Sequence, residues 1–241
     1  MLRPVMARIA AFIRSFFQGL FRWIARLAVG FVVISILWVV AYRFAPPPIT
    51  YLMARDMLSG QHVEKAWVPM PLMARTLPRA VIGAEDANFC GHHGFDLAAI
   101  QKAAQANLEG RKLRGGSTIS QQTAKNAFLW PGRSWVRKGL EAWFTGLIEI
   151  FWGKPRIMEV YLNIVEMGPG IYGMAAASDH YFGRRVDRIS AAQAARLAAI
   201  LPQPILRSVN KPSKSTRRYA RRIEKRVRVV AREGIDYCLW E

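Results

Sequence analysis

VIGAEDANFCGHHG, Val81–Gly94, is the stretch on which the reading of this chain turns, and Glu85 is its centre. An adjacent Glu-Asp pair closes an apolar run and is followed by an aromatic residue, then His92, His93 and Gly94. Leu72–Ala87 reads as a helix, with Pro78 suited to its first turn and Ala80, Val81 and Ala84 on one apolar face. The His-His-Gly that follows must turn, which leaves Glu85 projecting from a helix end at a chain reversal. A carboxylate there is often no more than a solvated surface group. The rest of the chain has to build a site around it.

The chain has 241 residues, 52% of them hydrophobic, enough for one substantial core with additions. A formal charge of +19 would suggest nucleic acid for a soluble protein, but it suits phosphates or an anionic membrane equally well. The two cysteines, Cys90 and Cys238, exclude a dense disulfide scaffold and a CxxC metal pair, and leave one bridge open.

Residues 1–26 carry five arginines and no acid, interleaved with phenylalanines. Leu27–Tyr42 is uncharged and apolar; with snorkelling Arg26 and Arg43, and Phe44–Ala45 extending it, the run can span a bilayer. A buried core helix and a cleaved signal peptide are the rival readings, and no small-x-small cleavage site follows the run. The positive-inside rule places 1–26 in the cytoplasm and the remainder beyond the membrane, away from nucleic acid. Pro46-Pro47-Pro48 ends the helix. The expected division is therefore a basic cytoplasmic N-terminus (1–26), a transmembrane helix (27–45), a juxtamembrane connection (46–71), a folded domain (72–210) and a basic C-terminal helix or tail (211–241).

Within the domain, Asp96–Leu108 has helical spacing and leads into a basic glycine-rich loop holding Arg111, Lys112 and Arg114. Ser117 or Thr118 can cap the next helix, in which Gln121 lies one turn before Lys125 and Gln122 nearly so. A glycine-rich loop at a helix start beside lysine suits an oxyanion, although the Walker order is absent. Arg137, Glu141, Thr145 and Glu149 recur every four residues and form one polar stripe, for which solvation is the plain explanation. Lys154–Ala177 begins as an amphipathic helix and dissolves at Gly168-Pro-Gly170. Lys211–Arg232 carries ten basic residues against one acid, as a solvated basic helix or a surface for anionic lipid or polymer. Strand signals are nearly absent, so the fold class is mainly α.

Four segments in this order resemble the peptidoglycan glycosyltransferases, shared by monofunctional transglycosylases and class A penicillin-binding proteins. They are Glu85-Asp86, Phe89, His92 and Gly94; Gly116-Ser117-Thr118, Gln121-Gln122 and Lys125-Asn126; Arg137-Lys138 and Glu141; and Glu159, Tyr161-Leu162-Asn163, Gly168 and Gly173. Ser190–Pro204 is a looser fifth. Ser120 stands where threonine is usual and Gln193 where glutamate is common. No transpeptidase segment is visible, so the resemblance is to the monofunctional type.

The resemblance implies a lysozyme-like helical domain that polymerises lipid II into glycan strands, with inversion and release of undecaprenyl pyrophosphate. It implies an enzyme at the inner membrane, single-pass, N-terminus cytoplasmic and catalytic domain periplasmic. Lipid II and the nascent glycan are the implied partners, with cell-wall or division proteins open as further ones. Glu85 would be the base that takes the acceptor hydroxyl proton. Lys125 and Arg137 would face the pyrophosphate, with Lys138 and Arg114 as outer support. Ser117, Thr118, Gln122 and Asn126 would hydrogen-bond sugar or phosphate oxygens. Glu141, the second catalytic carboxylate, would orient Arg137 or hold a divalent cation (Mg2+ or Mn2+); no organic cofactor is implied. The alternatives are a glycan-cleaving lysozyme-like enzyme, which has no use for Lys125 and Arg137, and a non-catalytic lipid II-binding scaffold.

Overall fold

The computed structural model describes residues 2–109, 116–132 and 134–240, of which Met1–Ala41 and Tyr42–Glu241 form two compact units. The first unit is one helix. α1 runs Leu2–Phe44 without a break, so the basic N-terminal segment and the apolar run are a single element. No glycine pair or internal proline interrupts it before Pro46, and Pro4 falls in the first turn, where a missing N–H costs nothing. Leu27, Val29, Ile34 and Leu37 are each more than 60% exposed, which is not how a core helix presents its leucines. Residues 14–44 are long and apolar enough to cross a membrane.

In the second unit, α2 (Tyr51–Leu58) is capped by the Thr50 hydroxyl and is followed by a two-residue strand, β1 (Glu64–Lys65). The stretch expected to be a connection thus folds into the body of the unit, and Asp56 and Met53 of α2 are buried. α3 (Thr76–Glu85) starts later than the spacing suggested, because Met70–Leu72 forms a separate 3-10 turn; Pro78 does lie in its first turn. α4 (Leu97–Leu108), α5 (Ile119–Phe128), α6 (Trp135–Phe151) and α7 (Gly153–Ile164) follow. A small sheet then joins β2 (Glu166–Gly168) antiparallel to β3 (Ile171–Tyr172), which pairs in parallel with β1. Strands this short show no alternation, so the sequence could not announce them. α8 (Met174–Phe182), α9 (Ala191–Ile200) and α10 (Lys214–Glu233) complete the chain.

α7 is the core element: Ile157, Met158, Val160, Tyr161 and Leu162 are fully buried. Each such aliphatic side chain stabilises the fold by about 1.5–3 kcal/mol. α5 and α6 pack together and against α7, while α3 packs between α9 and α10. Alanines at 194, 195, 198 and 199 are buried and let α9 approach its neighbours closely. α10 is not simply a solvated basic helix, since Ala220, Ile223, Val227 and Val230 form a buried face. Cys90 and Cys238 are joined, 148 residues apart, and tie the C-terminus to the turn after Glu85.

Candidate active site

Glu85 is the last residue of α3, partly buried, and its Oε2 accepts a hydrogen bond from Gln122 Nε2 at 2.9 Å. Tyr161 Oη, from the core of α7, donates to Gln122 Oε1 at 3.2 Å. Burial pushes the Tyr161 phenol well above its usual range, so it stays a proton donor and fixes which end of the Gln122 amide faces Glu85. The Glu85 carboxyl is itself raised, chiefly by burial, with Gln122, Arg207 and Lys125 pulling the other way. A carboxylate made more basic by a dry environment, yet held by one donor, is what proton abstraction from an alcohol needs.

Asp86, one residue on, does different work. It is 7% exposed; Oδ2 accepts from the Ile119 backbone N–H at 3.0 Å, and both oxygens lie 3.0 Å from His92 Nε2. His92 Nδ1 accepts from the Gly94 N–H (3.1 Å), so the proton sits on Nε2, facing Asp86. Gly94 adopts φ +89°, and a Cβ there would meet Thr145 Cγ2 at 2.8 Å, so only glycine makes this turn. Its carbonyl accepts from Thr118 Oγ1 (2.6 Å), the N-cap of α5. Thr118 and Gln121 close a capping box, which leaves the Thr118 hydroxyl buried and engaged. Asp86, His92, Gly94 and Thr118 therefore form a staple that sets α5 against the end of α3.

α5 and α6 present the cations. Lys125, Asn126, Gln122 and Arg137 line one cavity of about 460 Å³. Burial first, then the neighbouring Arg137 and Lys138, lowers the Lys125 ammonium, which Glu141 and Glu85 partly restore. Among the described residues Lys125 Nζ makes no hydrogen bond or ion pair, and Arg137 Nε is buried without a partner. Glu141 is 3% exposed. Its Oε2 accepts from Arg137 (3.1 Å) and its Oε1 from Lys138. The polar stripe of α6 is thus not solvated: Glu141 and Thr145 are both buried, and the Thr145 hydroxyl returns to the Glu141 carbonyl. With both oxygens on cations, Glu141 alone does not make a divalent-ion site, and no three His, Cys, Asp or Glu side chains converge among the described residues.

Ser117 is exposed just ahead of the α5 cap, and Arg114 lies outside the described residues. The departures from the family pattern have local partners. Ser120 Oγ donates to Glu149, and Gln193 fills the capping box of α9 with Ser190 as a glutamate would. Two charged cavity residues escaped the sequence reading, Arg55 of α2 and Glu166 of β2. A transglycosylase family model matches residues 53–232, most of the chain and all of these residues.

The chain belongs to the transglycosylase family. A protein of Caulobacter vibrioides named biosynthetic peptidoglycan transglycosylase is 56% identical over 201 residues, 83% of this chain and 88% of its own. Proteins of the same name from Bdellovibrio bacteriovorus and Chromohalobacter salexigens are 46% and 51% identical, covering 94% and 80% of this chain and 93% and 85% of theirs. As a transglycosylase it is a glycosyltransferase of peptidoglycan synthesis, with the lysozyme-like helical domain of that family. The family match begins at Met53, which brings α2 inside the transglycosylase domain.

Proposed function

We propose that the chain polymerises lipid II, with Glu85 as the base and Lys125 and Arg137 as the leaving-group cations. The observation that carries this reading is the raised, Gln122-held Glu85 carboxylate next to a cavity lined by Lys125 and Arg137. The acceptor sugar places its 4-hydroxyl at Glu85. The carboxylate takes the proton as the oxygen attacks C1 of the donor sugar; the C1–O bond breaks and its electron pair leaves with the pyrophosphate. Lys125 and Arg137 face that developing charge, and, being partly buried, each counts for more than it would in bulk water. Glu141 holds Arg137 and Lys138 in position. Asn126 lines the cavity as a sugar or phosphate partner, Ser117 is free to join it, and Thr118 positions α5 from below.

α1 serves as the membrane anchor, its arginine-rich start in the cytoplasm and the transglycosylase domain on the other face of the inner membrane. The Cys90–Cys238 bridge suits that oxidising side. Enzyme and lipid-linked substrate then share one bilayer, which confines their encounter to two dimensions.

The test is polymer formation from fluorescent lipid II by the full chain in detergent, beside Glu85→Gln. Polymer from the wild type alone is the expected result. Polymer from the variant would remove Glu85 as the base. Binding of lipid II without polymer from either would favour a scaffold.

A further inference from the structure

α2 brings a third cation to the cavity. Arg55 lines it together with Lys125 of α5 and Arg137 of α6. Neighbours in sequence on a helix do not normally face each other, yet Arg55 Nε and Nη2 both bond Asp56 Oδ1, at 2.9 and 2.6 Å. Asp56 is 3% exposed, and its Oδ2 accepts from Tyr172 Oη at 2.6 Å. Tyr172 is fully buried in β3. Burial alone would push the Asp56 carboxyl up, but the Tyr172 hydroxyl and the Arg55 guanidinium outweigh it and hold it below its ordinary value. The carboxylate is thus ionised and fixed from two sides, and it fixes the guanidinium in turn.

The Arg55 side chain nonetheless remains 50% exposed, and its Nη1 makes no hydrogen bond among the described residues. Among the described residues, three cationic side chains lining this cavity each keep a donor without a partner: Lys125 Nζ, Arg137 Nε and Arg55 Nη1. The one carboxylate lining that cavity among the described residues is Glu166. The balance of charge is positive, as a pyrophosphate diester with one negative charge on each phosphate requires. A guanidinium with two of its nitrogens pinned can offer the third without losing much rotamer freedom.

We propose that Arg55 is a third pyrophosphate-binding cation of the transglycosylation site, held in place by Asp56 and Tyr172. This rests on the reading of the substrate as a lipid-linked pyrophosphate. The rival is that Arg55 only neutralises the buried Asp56.

The experiment uses the full chain in detergent with two probes: calorimetric titration with inorganic pyrophosphate, and steady-state polymerisation of lipid II. Arg55→Ala is expected to weaken pyrophosphate binding about tenfold and raise KM by a similar factor, with a smaller change in kcat. Arg55→Gln, which keeps a hydrogen bond to Asp56, gives the same reading if the alanine variant does not fold. Arg55→Lys recovers part of the affinity. Tyr172→Phe, which frees the seat but leaves the cation, shifts KM in the same direction by roughly threefold. Wild-type pyrophosphate affinity and KM in the Arg55→Ala or Arg55→Gln protein, with only the melting temperature lowered, would overturn the proposal in favour of the rival. Weaker pyrophosphate binding in the variants, with no polymer even from the wild type, would uphold the Arg55 site and remove the polymerase reading instead.

Discussion

Gln122 Nε2 donates to Glu85 Oε2 across 2.9 Å, so the carboxylate at the end of α3 is held by the first turn of α5. Gln122 therefore does more than line the cavity. It is one of the groups that keep the Glu85 carboxyl from rising further. Gln122→Ala removes that donor, so the rising limb of the activity profile moves to higher pH, and kcat at neutral pH falls by roughly tenfold to a hundredfold. A pH series of initial rates checks this. An unmoved limb would mean that Glu85 is tuned by burial alone.

The same raised carboxyl bears on stability. In the folded chain Glu85 holds its proton to higher pH than in the unfolded chain. Stability from this group is therefore lost as pH rises from the ordinary glutamate value, about 4.3, through the raised folded one. Glu85→Gln has no proton to lose. Its melting temperature should equal the wild type's below that window and match or exceed it above, while activity disappears. Thermal melts at acid and neutral pH decide it; a variant less stable at neutral pH would show that the charged form is favoured by the fold.

Asp86 is predicted to act through structure. Asp86→Asn loses acceptor strength toward the Ile119 N–H and His92, both buried contacts. The expected cost is about 1–3 kcal/mol of unfolding free energy in a denaturant titration. Activity per folded molecule should fall far less than for Glu85→Gln. A fully stable but inactive Asp86→Asn protein would assign Asp86 to the chemistry.

The resemblance carried by the ordered motifs is what grouped Glu85, Gln122, Lys125, Arg137 and Glu141 into one expected site, while helical spacing supplied only the elements that carry them. What spacing could not say is which polar residue faces inward. Thr118 and Glu141 look alike as surface polar groups and are both buried, one as a cap and the other between two cations. Arg55 and Glu166 escaped for another reason. They reach the cavity from α2 and β2, elements of eight and three residues, and the pairing of β2 with β3 and of β3 with β1 is non-local. The Cys90–Cys238 bridge joins residues 148 apart, a pairing that cysteine counting allows but cannot assert.

That bridge closes a long loop and should stabilise the unit accordingly. Reduction, or Cys90→Ser with Cys238→Ser, is expected to cost about 2–5 kcal/mol in unfolding free energy. Tyr237 Oη also donates to the Cys90 carbonyl, so the C-terminus stays partly docked and the activity of the folded fraction should persist. Melting with and without reductant checks it, and equal curves would show that α10 packing and the Tyr237 contact hold the terminus without the bridge.

Glu166 gives the last prediction, because it is a carboxylate in a cavity otherwise furnished for an anion. Burial, followed by Asp56, raises its carboxyl, while Arg55 and Lys125 lower it. When ionised it competes with pyrophosphate for those two cations; when protonated it does not. Glu166→Gln fixes the neutral state, so the variant should bind inorganic pyrophosphate more tightly than the wild type at pH 8, by roughly tenfold. The gain should shrink as pH falls and the wild-type carboxyl takes up its proton. Tighter retention of the leaving group slows its release, so kcat for polymerisation should fall even as KM improves. Pyrophosphate titrations at acid and alkaline pH separate this from a structural role, which would shift both by the same factor. Weaker binding in the variant at pH 8 would mean that Glu166 orients Arg55 and Lys125 toward the anion instead of competing with it.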